Sequence, residues 1–192
     1  MFSVSLGADG AHLGPLEPWQ AEEFLAHIDR SREFVTPYVA IPDVVTDVDS
    51  SRNYLLDYAE KAAADTGRLY GIRLDSTLVG GVLFRTMDAR HGNAEAGCWL
   101  EPSAVGRGLV TRAATTIIDW IITERGFHRV EWLAASANTP SIAVARRLGM
   151  TRDGVLREHI ARDGKRHDME IWSVLAPEWH AHRQRVRPVT PT

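Results

Sequence analysis

One helix, and what flanks it, restricts the folds open to this chain. Residues Pro102–Arg125 read PSAVGRGLVTRAATTIIDWIITER. Leu109, Ala113, Ile117, Trp120 and Ile121 fall at helical spacing and form one apolar face. A strand-like run, Ala94–Leu100, precedes the helix and ends at Pro102. A second, His128–Ala134, follows it after Gly126. Elsewhere the strand-like runs are joined by tight turns. Arg68–Asp75 and Thr77–Met87 meet at Asp75-Ser76, and His91-Gly92-Asn93 leads into Ala94. Runs at about 151–161 and 166–175 meet at Asp163-Gly164. A hairpin reverses the chain, whereas a helical crossover preserves its direction. One crossover allows one parallel pair. The pattern therefore predicts an α/β chain with a mixed, mostly antiparallel central sheet and helices on both faces, not a doubly wound sheet.

The helix opens in an unusual way. Ala104-Val105-Gly106-Arg107-Gly108-Leu109-Val110-Thr111 is a turn with two glycines, placed between a strand and a helix. Glycines let the backbone approach a ligand closely. First-turn N–H groups lack helical acceptors, and the helix dipole favours an anion there. Arg107 adds a permanent positive charge, with Arg112 just beyond. The turn is not a phosphate loop of the Gly-Lys-Ser/Thr kind, and Thr111 stands where a dinucleotide fingerprint would need its third glycine. A plain strand-to-helix turn explains the glycines equally well, so a second segment must decide.

With 192 residues, 44% of them apolar, the chain can bury the core of one domain. Its net charge of -3 argues against nucleic acid held by bulk electrostatics. A single cysteine, Cys98, excludes an internal disulfide framework and fits a reducing compartment. No apolar run is long enough to span a membrane, and the N-terminus lacks the layout of a signal peptide. A cytoplasmic protein without nucleic-acid or membrane partners is expected. The histidines show no metal spacing, so no metal is expected.

Taken in order, residues 1–16 read as a short first strand broken by Gly7, Gly10 and Gly14. Glu17-Pro18 opens a helix whose Phe24, Leu25 and Ile28 face inward. Arg30–Pro42 reads as irregular. Thr46-x-x-Asp49 resembles a capping box, and a helix through Tyr54, Leu55, Tyr58 and Ala62 runs to Gly67. Residues 1–180 make one domain. Residues 181–192, basic and without an apolar face, read as a flexible tail.

The deciding segment is Asn138–Met150, NTPSIAVARRLGM. It places Asn at a helix start, Ser three residues later, an Arg pair, and Leu-Gly-Met entering a strand. Together with Leu16–Phe24 (LEPWQAEEF), Leu78–Gly81 (LVGG), Ala94–Pro102 (AEAGCWLEP), Gly106-x-Gly108, Gly154–Glu158 (GVLRE) and Asp168–Trp172 (DMEIW), it resembles the GNAT acyl-CoA N-acetyltransferases of the RimJ/RimL type. The resemblance covers about residues 10–180. It departs from the family at Ser103, where Gln or Arg is usual. It also departs in having all four tyrosines (Tyr38, Tyr54, Tyr58 and Tyr70) in the first half, so none follows the second helix of the site to protonate a thiolate.

The resemblance implies acetyl-CoA as co-substrate, a primary amine as acceptor, direct attack on the thioester, and a homodimer. Val105, Gly106, Arg107, Gly108, Leu109, Val110 and Thr111 would hold the diphosphate. Asn138 and Ser141 would close the other side of the pantetheine arm, and a backbone N–H at Trp99 or Leu100 would polarise the thioester oxygen. Ser141 is the candidate acid for the thiolate; an ordinary helical hydroxyl bonded to nearby backbone is the alternative. Glu95 is the first candidate base and Glu101 the second. An even separation puts both on one face of the strand unless a bulge intervenes. Glu158 and His159 form a further pair. Cys98 reads as packing, not as a nucleophile, and Trp99, Trp120, Trp132 and Trp172 as core or subunit contact. The acceptor would lie between Arg32–Asp47, with Phe34, Tyr38 and Asp43, and the hairpin near His159–His167.

A protein N-terminus, ribosomal by the resemblance, competes as acceptor with a small amine, amino acid or antibiotic. A succinyl-CoA donor would need a cation such as Arg73 or Arg85 in the acyl pocket. A non-catalytic acyl-CoA sensor would bind without turnover.

Overall fold

The computed structural model describes residues 3–7, 9–162 and 164–186. The chain begins as a hairpin and not as one strand: β1 (Val4–Ser5) and β2 (Ala11–Pro15) pair antiparallel. Pro18–Gln20 form a single 3₁₀ turn, and α1 (Ala21–Val35) follows, reaching well into the stretch expected to be irregular. A short turn of helix, α2 (Ile41–Val44), precedes α3 (Val48–Ala63). The capping box of α3 lies one residue beyond the expected one. Asp47 accepts from the Ser50 N–H at 2.7 Å, and Ser50 Oγ accepts from the Asp47 N–H.

β3 (Arg68–Leu74) and β4 (Thr77–Asp88) join through Asp75 and Ser76, both at positive φ, as a two-residue hairpin requires. β5 (Asn93–Leu100) runs antiparallel to β4. The crossover helix α4 (Leu109–Asp119) widens into one π-helical turn at Trp120–Glu124 and stops at Gly126, φ 68°. β6 (Arg129–Ala135) then pairs parallel with β5. α5 (Thr139–Arg147) leads to β7 (Thr151–Arg162) and β8 (Lys165–Leu175). Of the expected turn between these strands, Asp163 lies outside the described residues.

The sheet order is β1-β2-β3-β4-β5-β6-β8-β7, with β5–β6 the one parallel pair among the described residues, as the single crossover predicts. Helices cover both faces. Phe24, Ile28 and Leu55 of α1 and α3 pack with Leu69, Leu83 and Trp99 on one side. Ile117, Ile121 and Ala145 pack with Val82, Phe84 and Trp132 on the other.

The last helix, α6 (Ala176–Val186), overlaps the expected tail. Trp179 anchors it: its ring is buried and its Nε1 donates to Asp119 Oδ1 at 2.8 Å, while Arg183 pairs with the same carboxylate. A lone tryptophan in a basic, non-periodic stretch gave no helical pattern to read. The remainder of that tail, 187–192, lies outside the described residues.

Candidate active site

Pro102–Ala104 make a 3₁₀ turn, after which Gly106 and Gly108 take φ of 85° and 69°. α4 starts at Leu109 with Gly108 as its N-cap, and no side chain caps it. The first-turn amides are therefore open to an outside acceptor. A Cβ on either glycine would meet no atom of the protein within 4 Å. The glycines thus serve backbone conformation and outside access, not internal packing. Leu109 and Val110 bury their side chains and offer only backbone, while Val105 and Arg107 are exposed. Arg112 is committed elsewhere, 2.6 Å from Asp9.

β5 and β6 form a fork. They pair only over Asn93–Ala96 and Arg129–Trp132. Beyond that, β5 continues to Leu100 on β4, and β6 continues to Ala135 on β8. Successive N–H groups along a strand point to opposite sides. The Glu101 N–H donates to Val79 O at 2.9 Å, toward β4. The Trp99 amide therefore also faces β4, whereas Leu100 and Cys98 turn their N–H and C=O into the fork. Of the two amides expected to meet a thioester oxygen, Leu100 is the one that turns its N–H into the fork.

Ser141 stands at the first turn of α5. Asn138 caps that helix, accepting from the Ser141 N–H at 3.2 Å. The Ser141 hydroxyl accepts from Trp132 Nε1 at 2.9 Å. Because an indole only donates, the serine proton remains available to another acceptor. Trp132 is also the last β6 residue paired with β5, so this bond rises from the base of the fork.

β5 runs without a bulge; the irregularity between Phe84 and Thr86 lies in β4. Glu95, Trp99 and Glu101 consequently share the α1/α3 side, as the even separation implied, but the two carboxylates differ. Glu95 Oε1 accepts from Arg85 Nε at 2.8 Å, and no other side-chain hydrogen bond to it occurs among the described residues. Glu101 is 7% exposed and crowded by donors. Ser103 Oγ donates to Oε1 at 2.5 Å; His27 Nδ1 and Arg30 Nε reach Oε2 at 3.3 Å. Burial alone would push this carboxyl up, but Ser103, Arg30 and His27 more than offset it and hold it below its ordinary range. That is the environment of a buried, hydrogen-bonded carboxylate. Ser103, the departure from the family pattern, is thereby accounted for.

His27 joins this carboxylate to the fork. Trp99 Nε1 donates to His27 Nε2 at 2.9 Å, so the ring proton sits on Nδ1 and faces Glu101. His27 has no exposed surface, and burial drives its imidazole down to about 4, only partly opposed by Glu101. The Trp99 ring lies on Gly81, where a Cβ would fall 2.1 Å from Cη2. The Leu-Val-Gly-Gly motif thus makes room for the indole that reaches His27. Neither His27 nor Arg30 was singled out from sequence. The signal for His27 was its position beside Phe24 and Ile28 on the inward face of α1.

Other expected residues fall outside this constellation. Burial pushes the Cys98 thiol up to about 12, unlike a reactive cysteine. Glu158 and His159 are exposed on β7, where Glu158 has φ 50° in an irregular stretch between Leu156 and Ile160. Arg73 pairs with Glu23 and Arg85 with Glu95, so neither is an unengaged cation awaiting a second carboxylate. No group of metal-ligating side chains occurs among the described residues. Nor is any described helix long and apolar enough to cross a membrane.

The two segments expected to border an acceptor do meet. Arg162 at the end of β7 pairs with Asp43 of α2 at 2.8 Å, and four exposed apolar side chains (Phe34, Tyr38, Val44 and Ile160) lie on those segments.

Comparison with known proteins agrees with this fold. RimL, a ribosomal L7/L12 α-N-protein acetyltransferase solved with coenzyme A, superposes with a TM-score of 0.86 at 17% identity, covering 90% of this chain and 97% of its own. RimJ of Mycobacterium smegmatis, in complex with CoA-disulfide, gives 0.80 at 22% identity over 88% and 83%. A Bacillus subtilis (strain 168) protein named "Putative ribosomal N-acetyltransferase YdaF" is 27% identical over 88% of this chain and 92% of its own. The family model described as acetyltransferase (GNAT) domain matches residues 12–151, and the chain belongs to the GNAT family of N-acetyltransferases.

Proposed function

We propose that this GNAT enzyme moves an acetyl group from acetyl-CoA to the α-amine at a protein N-terminus, by direct attack and without an acyl-enzyme. The observation that carries the chemistry is the fork. It offers a Leu100 N–H without a partner among the described residues on one arm and, across it, a serine hydroxyl with a proton to give. The open amides of Gly106–Thr111 and the Arg107 guanidinium hold the diphosphate. Asn138 shapes the α5 wall. The Leu100 N–H stabilises the oxyanion as the amine nitrogen bonds to the carbonyl carbon.

The C–S bond then breaks with its electron pair going to sulfur. One proton leaves the attacking nitrogen, and one arrives at sulfur from Ser141, whose oxygen is reprotonated through solvent. Glu95 accepts the amine proton, directly or through water; that only one of its oxygens is engaged, by Arg85, supports this reading. The ribosomal character of the acceptor is supported by what the relatives are named, and by the joined α2 and β7–β8 segments that would border a peptide. The same kinship supports a homodimer.

A panel of free and Nα-blocked peptides, amino acids and small amines, read by release of CoA thiol, tests the acceptor. Turnover confined to free peptide N-termini is expected. Turnover of small amines alone would refute the peptide assignment. A monomer mass by light scattering at micromolar concentration would refute the dimer.

A further inference from the structure

The geometry points to Trp132 as the residue that aims the Ser141 proton into the fork, a positioning residue for the thiolate step. The inference rests on the reading of Ser141 as the proton donor to sulfur.

Three hydroxyls within helices of this protein show how such a proton is consumed locally, while that of Ser51 donates across to Ala21 O. Ser31, Thr116 and Thr123 each donate to the carbonyl four residues back, at His27, Arg112 and Asp119. Their protons are consumed by their own helices. Ser141 does otherwise. The one hydrogen bond of its hydroxyl among the described residues is received from the Trp132 indole at 2.9 Å. That bond occupies an oxygen lone pair and directs the hydroxyl hydrogen away from the indole. Its donor cannot reverse roles, because an indole nitrogen has no lone pair to accept with.

The donor is also held rigidly. Trp132 is 1% exposed, lies opposite Trp172 in the β6–β8 register and packs in the core shared with α4 and α5. It is the residue at which β6 parts from β5, so the indole is fixed to the base of the fork. The Ser141 backbone is fixed independently by the Asn138 cap. Backbone and oxygen are both anchored, and only the proton is left to act. This side chain was expected to be core or subunit contact; its ring is core, but its nitrogen is spent on the site.

The consequence can be measured without knowing the acceptor. In the binary complex with CoA, a hydroxyl aimed at sulfur stabilises the thiolate and lowers the pKa of the bound thiol, which is followed by thiolate ultraviolet absorbance during a pH titration. Ser141→Ala is expected to raise that pKa by about one unit or more, the worth of a hydrogen bond to a charged group. Ser141→Thr is expected to restore it. Trp132→Phe, which keeps a ring but removes the N–H, is expected to reproduce most of the Ser141→Ala shift, and the double variant to add nothing to it. A packing defect alone would instead weaken CoA binding at pH values where the thiol is protonated. That affinity is expected to be unchanged.

If Ser141→Ala shifts the thiol and Trp132→Phe does not, the Trp132 inference is wrong and the Ser141 reading stands. If Ser141→Ala shifts nothing, both fall. Should Trp132→Phe not fold, the indole N–H resonance of the wild-type protein answers the same question. A resonance that moves with Ser141→Ala, and with ionisation of bound CoA, supports the inference; one indifferent to both overturns it.

Discussion

Gly108 and Gly126 allow backbone strain to be separated from ligand exclusion. Their φ angles are 69° and 68°, and a Cβ on either would meet no protein atom within 4 Å. Replacing either with alanine forces a left-handed residue to carry a Cβ, at about 1–2 kcal/mol. In a chain of this size that lowers Tm by roughly 2–8 °C, and by the same amount for both variants. Their effects on CoA must differ. Gly126 ends the crossover helix; Gly108 opens it, at the amides proposed to face the diphosphate. Losing one charge-assisted hydrogen bond there costs about 1.5–3 kcal/mol, which is a CoA affinity roughly 10- to 150-fold weaker. Calorimetric titration of CoA into both alanine variants provides the assay, with melting curves to confirm equal strain. An affinity for Gly108→Ala within twofold of that for Gly126→Ala would refute the placement of the diphosphate.

Further outcomes follow from the same geometry. His27 binds a proton more weakly folded, at about 4, than unfolded, so stability falls as pH drops through the window from about 6.5 to 4. Urea melts near neutral pH and near pH 5 should show wild type losing about 2 kcal/mol that His27→Gln does not lose; parallel losses would remove His27 as the cause. Glu95→Gln should reduce turnover at least tenfold with CoA affinity unchanged. Glu101→Gln should instead lower Tm, and an unchanged Tm would contradict its role as a buried anchor. Arg162→Ala, which frees Asp43, should change KM for the acceptor and leave CoA affinity alone; a change in CoA affinity would put that ion pair on the wrong side of the site.

Much of this architecture follows from local rules, which is why it could be read in advance. The hairpin at Asp75-Ser76, the helix stop at Gly126 and the parallel pair flanking α4 depend on turn chemistry and on counting crossovers. The resemblance carried by Gly106-x-Gly108 and Asn138–Met150 supplied the ligand. What escaped was whatever depends on two distant segments meeting. Glu95 and Glu101 are equivalent by strand parity, and parity was correct. Their difference comes from α1: His27 and Arg30 approach Glu101 from more than seventy residues away and surround its carboxylate with donors. No spacing within β5 encodes that.

The glycines of β4 make the same point from the other side. Read alone, Gly80-Gly81 weakens a strand, and a flexible or close-approach role is the natural inference. Close approach is correct, but the approaching group is Trp99 of the neighbouring strand. A Cβ at Gly81 would intrude on its ring, and at Gly80 on the Trp99 carbonyl at 2.6 Å. The missing side chains in β4 therefore determine where the Trp99 indole lies, the indole determines the tautomer of His27, and His27 faces the carboxylate at the end of β5. The amide of Leu100 sits between Trp99 and Glu101, both of whose side chains are tied to His27. The oxyanion role proposed for this amide requires that it not yield as charge develops. The buried chain from Gly81 to Glu101 supplies that rigidity on the α1 side of β5, as Trp132 does at the base of the fork.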